Sequence, residues 1–227
     1  MSAAGPASLA WPAGRRLLLM RHGETYTPLP DTPLAGAEAD PEVPLTERGL
    51  ERVREVAGWM ASIHIEAAYS SSFDRSRVTA ELVAAPHRLE VTPIDALREL
   101  ALYPPPGGTL LDVARRYVAL VRELQEKPAS EVQLDCGRTL ATVLEGALAA
   151  IHGALTRASG TVLVVAHGGI NRFLLGHWLG MPPARSIAIE QNFACVNVVE
   201  FARGGHAWVR ALNCTLHDPL KLDSAGI

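Results

Sequence analysis

The sequence has few cysteines, and they lie far apart. Cys136, Cys195 and Cys214 are an odd number and form no C-x-x-C pair. Such spacing offers neither a disulfide framework nor a zinc cluster. We therefore expect reduced, mostly buried thiols, because an unpaired cysteine behaves as a small hydrophobic residue.

The chain also lacks a strong charge of either sign and any long hydrophobic run. Its formal net charge is -3 over 227 residues, with a pI near 6.2. This balance excludes the basic footprint of a nucleic-acid-binding protein and a polybasic membrane segment. No run is long enough for a signal-peptide core or a membrane span. We expect a cytoplasmic protein with neither nucleic acid nor membrane as a partner.

Hydrophobic residues make up 48% of the chain, which is enough to bury a sizeable core. We expect one domain over residues 15–216, preceded by a flexible lead-in (1–14) and followed by a C-terminal tail (217–227). Prolines and acidic residues crowd positions 26–44 and forbid regular structure there. This stretch is either a loop bordering the site or solvent-exposed decoration.

Two apolar runs, residues 17–20 and 161–166, lead into a histidine followed by glycine, with Arg21 between the first run and His22. Apolar runs without alternation are typical of strands covered on both faces in a parallel sheet. Ligands bind beyond the carboxyl ends of such strands. If the two strands are neighbours, His22 and His167 lie together at one edge of the sheet.

Helix signals follow the first strand. Thr46 is positioned to cap a helix whose apolar positions continue to Ile63. Serines and Asp74 precede a second helical pattern, which predicts a capped helix start with Arg75 in its first turn. A cation at that end opposes the helix dipole unless it holds an anion, and a phosphate group would resolve the conflict.

The remaining patterns predict strands, helices and a hairpin at the edge of the sheet. Strands are expected at 67–70 and 89–92, helices at 110–124, 140–155 and 170–178, and the antiparallel hairpin at 194–201 with 206–212.

Five blocks, in this order along the chain, resemble the histidine phosphatase superfamily, in its phosphoglycerate-mutase-like branch. A single R-H-G triplet would be weak, but an ordered set over nearly all of residues 15–216 is specific. The resemblance implies an α/β fold, with a mixed, mostly parallel central sheet between helical layers. The blocks are Arg21-His22-Gly23-Glu24-Thr25, Pro44-Leu45-Thr46-Glu47-Arg48-Gly49, Ser70-Ser71-Ser72-Phe73-Asp74-Arg75, Leu97-Arg98-Glu99-Leu100 and Ala166-His167-Gly168-Gly169.

The resemblance also implies a phosphohistidine mechanism. His22 matches the nucleophile and Glu99 the proton donor, while Arg21, Arg75 and His167, with Gly168 beside it, match the phosphoryl pocket. Arginine presents planar, bidentate donors at fixed charge, which suits a phosphoryl group without a metal. No D-x-H or H-x-H pair suggests metal ligands, and we expect no cofactor.

Two other carboxylates are alternatives to Glu99 as the proton donor. Glu24 is the nearby rival and Asp95 the distant one, and Glu99 could instead be a surface carboxylate beside Arg98.

The chain departs from the family pattern in two places. Many members have a Trp-Asn pair where this chain has Thr27 and Pro28, and proline has no donor to offer the phosphoryl group. We expect Thr25 to supply the missing contact. After Glu99, residues 101–106 lack the basic segment with which phosphoglycerate mutases hold a second phosphate.

We therefore predict a metal-independent phosphomonoesterase acting on a small phosphorylated metabolite. A mutase, a phosphoprotein phosphatase and a non-catalytic phosphate-binding protein are the alternatives. The substrate is not readable from the sequence, and a homodimer remains open.

Overall fold

The structure is a computed structural model that describes residues 9–26, 43–102 and 108–218. Within these residues, six strands form one sheet in the order β3-β2-β4-β1-β5-β6. The first four in that order are parallel, whereas β5 and β6 are antiparallel to their neighbours. The mixed, mostly parallel sheet is confirmed. The strands are β1 (Arg15–Arg21), β2 (Ala67–Ser71), β3 (Val91–Ile94), β4 (Thr161–Ala166), β5 (Val196–Phe201) and β6 (Ala207–Cys214).

Helices cover both faces of this sheet. Leu17 and Leu19 of β1 pack into one core, together with residues of α3, α4 and α5. Leu18 and Met20 point to the other face and pack against α1 and α2. The three-layer arrangement is therefore confirmed. The helices are α1 (Glu47–Met60), α2 (Asp74–Ala84), α3 (Leu110–Glu126), α4 (Leu140–Arg157), α5 (Gly168–Trp178) and the short α6 (Pro183–Ser186).

Two helix starts were predicted, with different outcomes. Thr46 caps α1 as expected, because its hydroxyl accepts a hydrogen bond from the backbone N–H of Gly49 at 2.9 Å. The predicted side-chain cap of α2 is wrong, since Phe73 occupies the N-cap position and makes no such bond. The preceding Ser71 is instead engaged by His167.

The structure differs from the predicted bounds of the third strand and shows contacts in both terminal segments. The third strand begins at Val91, two residues later than predicted, and includes Pro93, which an edge strand tolerates. The flexible lead-in is wrong at Trp11, whose buried ring stacks on Phe201 with centroids 4.7 Å apart. In the tail, His217 contacts Glu55 at 2.7 Å. Residues 1–8 and 219–227 lie outside the described residues.

The cysteines are unpaired, but mostly buried thiols were a wrong expectation. Cys195 is buried, whereas Cys136 is exposed and Cys214 is partly exposed. Residues 27–42 and 103–107 also lie outside the described residues, so the proline-rich loop and Pro28 have no structural outcome. In the described ranges no helix is both long and apolar enough to cross a membrane.

The sheet brings the two His-Gly ends together. Strands β1 and β4 are parallel neighbours, with Arg21 opposite Ala166. The backbone N–H of His22 donates to the carbonyl oxygen of Ala166 at 3.0 Å, one residue before His167. Both histidines therefore follow adjacent strands at the same edge.

Candidate active site

His22 is buried immediately after β1. Its Nδ1 lies 2.8 Å from the carbonyl oxygen of Gly23. Because a carbonyl only accepts, Nδ1 carries the proton in this bond and Nε2 keeps a lone pair. Burial, followed by the charges of Arg21 and Arg75, holds the pKa of His22 well below its usual value. The ring is a neutral imidazole at neutral pH, which is the form a nucleophile requires.

The His167 ring lies edge-on to His22, with centroids 5.1 Å apart. Its Nε2 is 2.8 Å from the hydroxyl of Ser71 and 3.3 Å from that of Ser76. Burial, then the proximity of His22, keeps the pKa of His167 well below its usual value. Its Nδ1 is buried and has no hydrogen-bond partner among the described residues. An incoming polar group could satisfy that atom.

Two guanidinium groups flank the histidines. Arg21 donates to the carbonyl oxygen of Gln191 at 2.6 Å and lies over the ring of Phe193, 3.9 Å from its centroid. Burial lowers the pKa of Arg21, while Glu99 acts to raise it; the group still remains a cation at neutral pH. Arg75 is also buried, at the start of α2, where its charge lowers the pKa of both histidines.

Glycine at 168 lets Arg21 approach α5. A Cβ there would lie 3.2 Å from Nε of Arg21 and 3.4 Å from its Cζ. That Nε is buried and makes no hydrogen bond within the described part of the chain. It therefore remains as a donor for a bound anion.

Glu99 lies on the N-terminus of α5. One carboxylate oxygen accepts from the backbone N–H of Gly169 at 3.0 Å, and the other accepts from Ile170 at 3.0 Å and Leu100 at 2.9 Å. Helix N-termini attract anions because their first N–H groups lack partners in the helix. The carboxylate is thus fixed beside the helix that His167 caps.

The rival carboxylates have other partners. Glu24 lies between Arg48 and Arg52, 3.6 Å from each. Asp95 is exposed and pairs with Arg98 at 2.8 Å. The second donor contact of Arg98 is the hydroxyl of Ser72, so Arg98 does not hold Glu99.

Thr25 is joined to Leu45 by an isolated antiparallel bridge and lines a cavity of about 770 Å³ that borders Arg21. Its role as a phosphoryl contact stays a prediction. Among the described residues, no group of three or more histidine, cysteine, aspartate or glutamate side chains could hold a metal.

Sequence reasoning missed four contributors to this region. Ser71 lies in the block that contains Arg75, where the serines looked like helix caps, and Ser76 comes one residue after that block. Phe193 and Arg172 had no recognisable pattern, because Phe193 is an aromatic residue on a loop and Arg172 is an arginine among the apolar positions of α5. The missed residues are Ser71, Ser76, Phe193 and Arg172.

Solved structures share this fold. YhfR of Bacillus stearothermophilus has a TM-score of 0.70 and 23% identity, over 87% of this chain and 96% of that one. A phosphoserine phosphatase of Entamoeba histolytica, solved with 3-phosphoglyceric acid, has a TM-score of 0.69 and 21% identity, over 89% and 98%.

Two plant proteins match by sequence. A probable 2-carboxy-D-arabinitol-1-phosphatase of Arabidopsis thaliana is 27% identical over 93% of this chain and 44% of its own length. The 2-carboxy-D-arabinitol-1-phosphatase of Triticum aestivum is 26% identical over 93% and 43%. The chain thus spans less than half the length of these relatives.

The family model of the histidine phosphatase superfamily, branch 1, matches residues 17–215. That range contains both His-Gly ends, both flanking arginines and Glu99. The chain therefore belongs to the histidine phosphatase superfamily, branch 1.

Proposed function

We propose that this protein hydrolyses a small phosphorylated metabolite through a phosphohistidine formed on His22. The observation that carries the proposal is the neutral, buried imidazole of His22, flanked by Arg21 and Arg75, with its Nδ1 bonded to Gly23 and its Nε2 left with a lone pair. A site that only bound phosphate would need neither an uncharged imidazole nor a carboxylate close to Arg21.

In the first step, Nε2 of His22 attacks phosphorus, and the bond from phosphorus to the ester oxygen breaks. Glu99, protonated once the phosphoryl dianion is bound beside it, gives its proton to the leaving oxygen, which departs as an alcohol. Arg21 and Arg75 neutralise the charge on the equatorial oxygens, where most of the catalysis of phosphoryl transfer arises. His167 lies against the nucleophile and offers its unpartnered Nδ1 edge to the same group.

In the second step, Glu99, now ionised, takes a proton from a water molecule as the water attacks phosphohistidine. The bond between phosphorus and nitrogen breaks, phosphate leaves, and Nε2 regains its lone pair. The two guanidinium groups supply the positive charge, so we propose that no metal takes part.

Small metabolites are the substrates we favour. The plant relatives are named for a phosphorylated sugar acid, and the Entamoeba structure for phosphoserine. We place the catalytic unit in residues 15–216 and keep the cytoplasm as the expected compartment; both remain predictions.

The test is hydrolysis of p-nitrophenyl phosphate in excess EDTA by the wild type and by His22→Ala. His64→Ala is the matched control, because that imidazole is exposed and its nearest carboxylate, in Glu66, is 3.9 Å away. We expect the His22 variant to lose activity by about a thousandfold or more. We also expect an acid-labile, alkali-stable phosphoenzyme in the wild type. Folded wild type without turnover, or full turnover without His22, would refute the proposal.

A further inference from the structure

Arg172 lies one helical turn beyond the phosphoryl pocket. It is four residues after Gly168 on α5 and therefore on the same face of the helix as the glycine that Arg21 approaches. Arg172 and Arg21 line the same cavity of about 770 Å³. One turn of helix is roughly 5 Å, so Arg172 is within reach of a small leaving group on a substrate whose phosphoryl group is held at Arg21.

The Arg172 guanidinium is held in place by the protein. Its Nε donates to the carbonyl oxygen of Ile189 at 2.9 Å, and one terminal nitrogen donates to the hydroxyl of Tyr117 at 3.3 Å. These bonds use two of the five N–H donors of an arginine, which leaves three. The group is thus oriented before a ligand arrives, and that reduces the entropy lost on binding.

Arg172 is also a cation without a carboxylate partner in the described part of the chain. Two further arginines of the cavity, Arg48 and Arg52, share Glu24, whereas Arg21 is assigned to the phosphoryl group. Glu190 lines the cavity too, but its carboxylate accepts from the side-chain amide of Asn213 at 3.0 Å. A half-buried guanidinium without a carboxylate partner is therefore available to bind an anion that enters the cavity.

We propose that Arg172 binds a carboxylate on the leaving group, so that the substrates are phosphomonoesters of small carboxylic acids. Two of the three remaining donors on the planar guanidinium match the two oxygens of one carboxylate. A second phosphate would bring more charge and more oxygens than the remaining donors of Arg172 can satisfy. This inference rests on the proposed phosphatase function.

The test compares substrates that differ only at the carboxylate. The ratio of kcat/KM for O-phosphoserine over O-phosphoethanolamine is measured in the wild type, in Arg172→Gln and in Arg172→Lys, with 3-phosphoglycerate over glycerol 1-phosphate as a second pair. We expect a wild-type ratio of about tenfold to a hundredfold, the usual range for a charge-assisted pair of hydrogen bonds. The ratio should fall to about one in Arg172→Gln and be intermediate in Arg172→Lys. Arg48→Gln, which removes a paired arginine of the same cavity, should keep the wild-type ratio.

A purely structural role for Arg172 would lower both members of each pair equally and leave the ratio unchanged, which would overturn the inference. A wild-type ratio near one, with robust hydrolysis of p-nitrophenyl phosphate, would also overturn it while leaving the phosphatase proposal intact. Absence of turnover for every substrate would overturn both.

Discussion

A methyl group at position 169 should displace the proposed proton donor. A Cβ on Gly169 would lie 2.5 Å from Oε1 of Glu99, 3.1 Å from its Cδ and 3.3 Å from Cδ1 of Leu100. Gly169 also donates its N–H to the other carboxylate oxygen at 3.0 Å. Alanine must therefore push the carboxylate off the N-terminus of α5.

The size of the effect follows from this distance. Ordinary contact begins at 3.4 Å, so the 2.5 Å contact requires the Glu99 carboxylate to move by about 0.9 Å. A misplacement of about 1 Å in a catalytic group costs about a hundredfold in rate, and general acid–base catalysis contributes about 10² to 10⁴. We expect Gly169→Ala to lower kcat/KM for an alkyl phosphate by about a hundredfold. The loss should be smaller for p-nitrophenyl phosphate, whose leaving group departs readily as a phenolate.

The free energy of unfolding should change little, because the cost of displacing Glu99 is opposed by the helix propensity of alanine, which is about 1 kcal/mol better than that of glycine. Thermal unfolding checks this point. Gly58→Ala is the matched control, since a Cβ there meets nothing within 4 Å, and it should keep full activity. In a Glu99→Ala background, Gly169→Ala should add nothing, because both changes act through one carboxylate. Full activity in Gly169→Ala, or additive losses in the double variant, would refute the reasoning.

Three further predictions concern the same region. Ser71→Ala removes the shorter hydrogen bond to His167 and should lower kcat/KM by about tenfold in steady-state kinetics; an unchanged value would mean that Ser76 suffices. The pKa of both His22 and His167 is depressed in the folded state, so the unfolded chain binds more protons than the folded chain below about pH 6.5. The free energy of unfolding, measured in urea, should therefore decrease as the pH is lowered, by up to about 1.4 kcal/mol per pH unit for each histidine, and a flat profile would contradict this. Gly49→Ala should lower the free energy of unfolding by about 1–3 kcal/mol, because its Cβ would collide with the backbone of Glu24. A variant that unfolds at the same urea concentration as the wild type would contradict this, since it would mean that the Glu24 backbone moves aside at no cost.

The frame of the site could be predicted because its signals are local. Uninterrupted apolar runs mark β1 and β4, and a histidine follows each strand, so parallel pairing is enough to bring His22 and His167 together. Thr46 was equally readable, because its cap involves an N–H only three residues away.

The contacts within the site could not be predicted because they cross the chain. A serine before a helix has the same sequence pattern whether it caps the helix or faces a histidine, and Ser71 faces His167 only because β2 lies beside β4. The bonds between Glu99 and α5 join residues about seventy positions apart and leave no periodic trace. Trp11 was misread for a similar reason, since Phe201 lies near the other end of the sequence.

The first turns of α5 fix the positions of several groups of the site relative to one another. This helix has no acidic residue in its own first turn, so the positive end of its dipole is met by Glu99 from a distant segment. The same turns begin with His167, leave room for Arg21 at Gly168, and carry Arg172 one turn further. The nucleophile's neighbour, the proton donor and the proposed leaving-group contact are thus spaced by helical geometry and not by flexible loops. Substitutions in these turns should therefore alter turnover and substrate preference more than the free energy of unfolding.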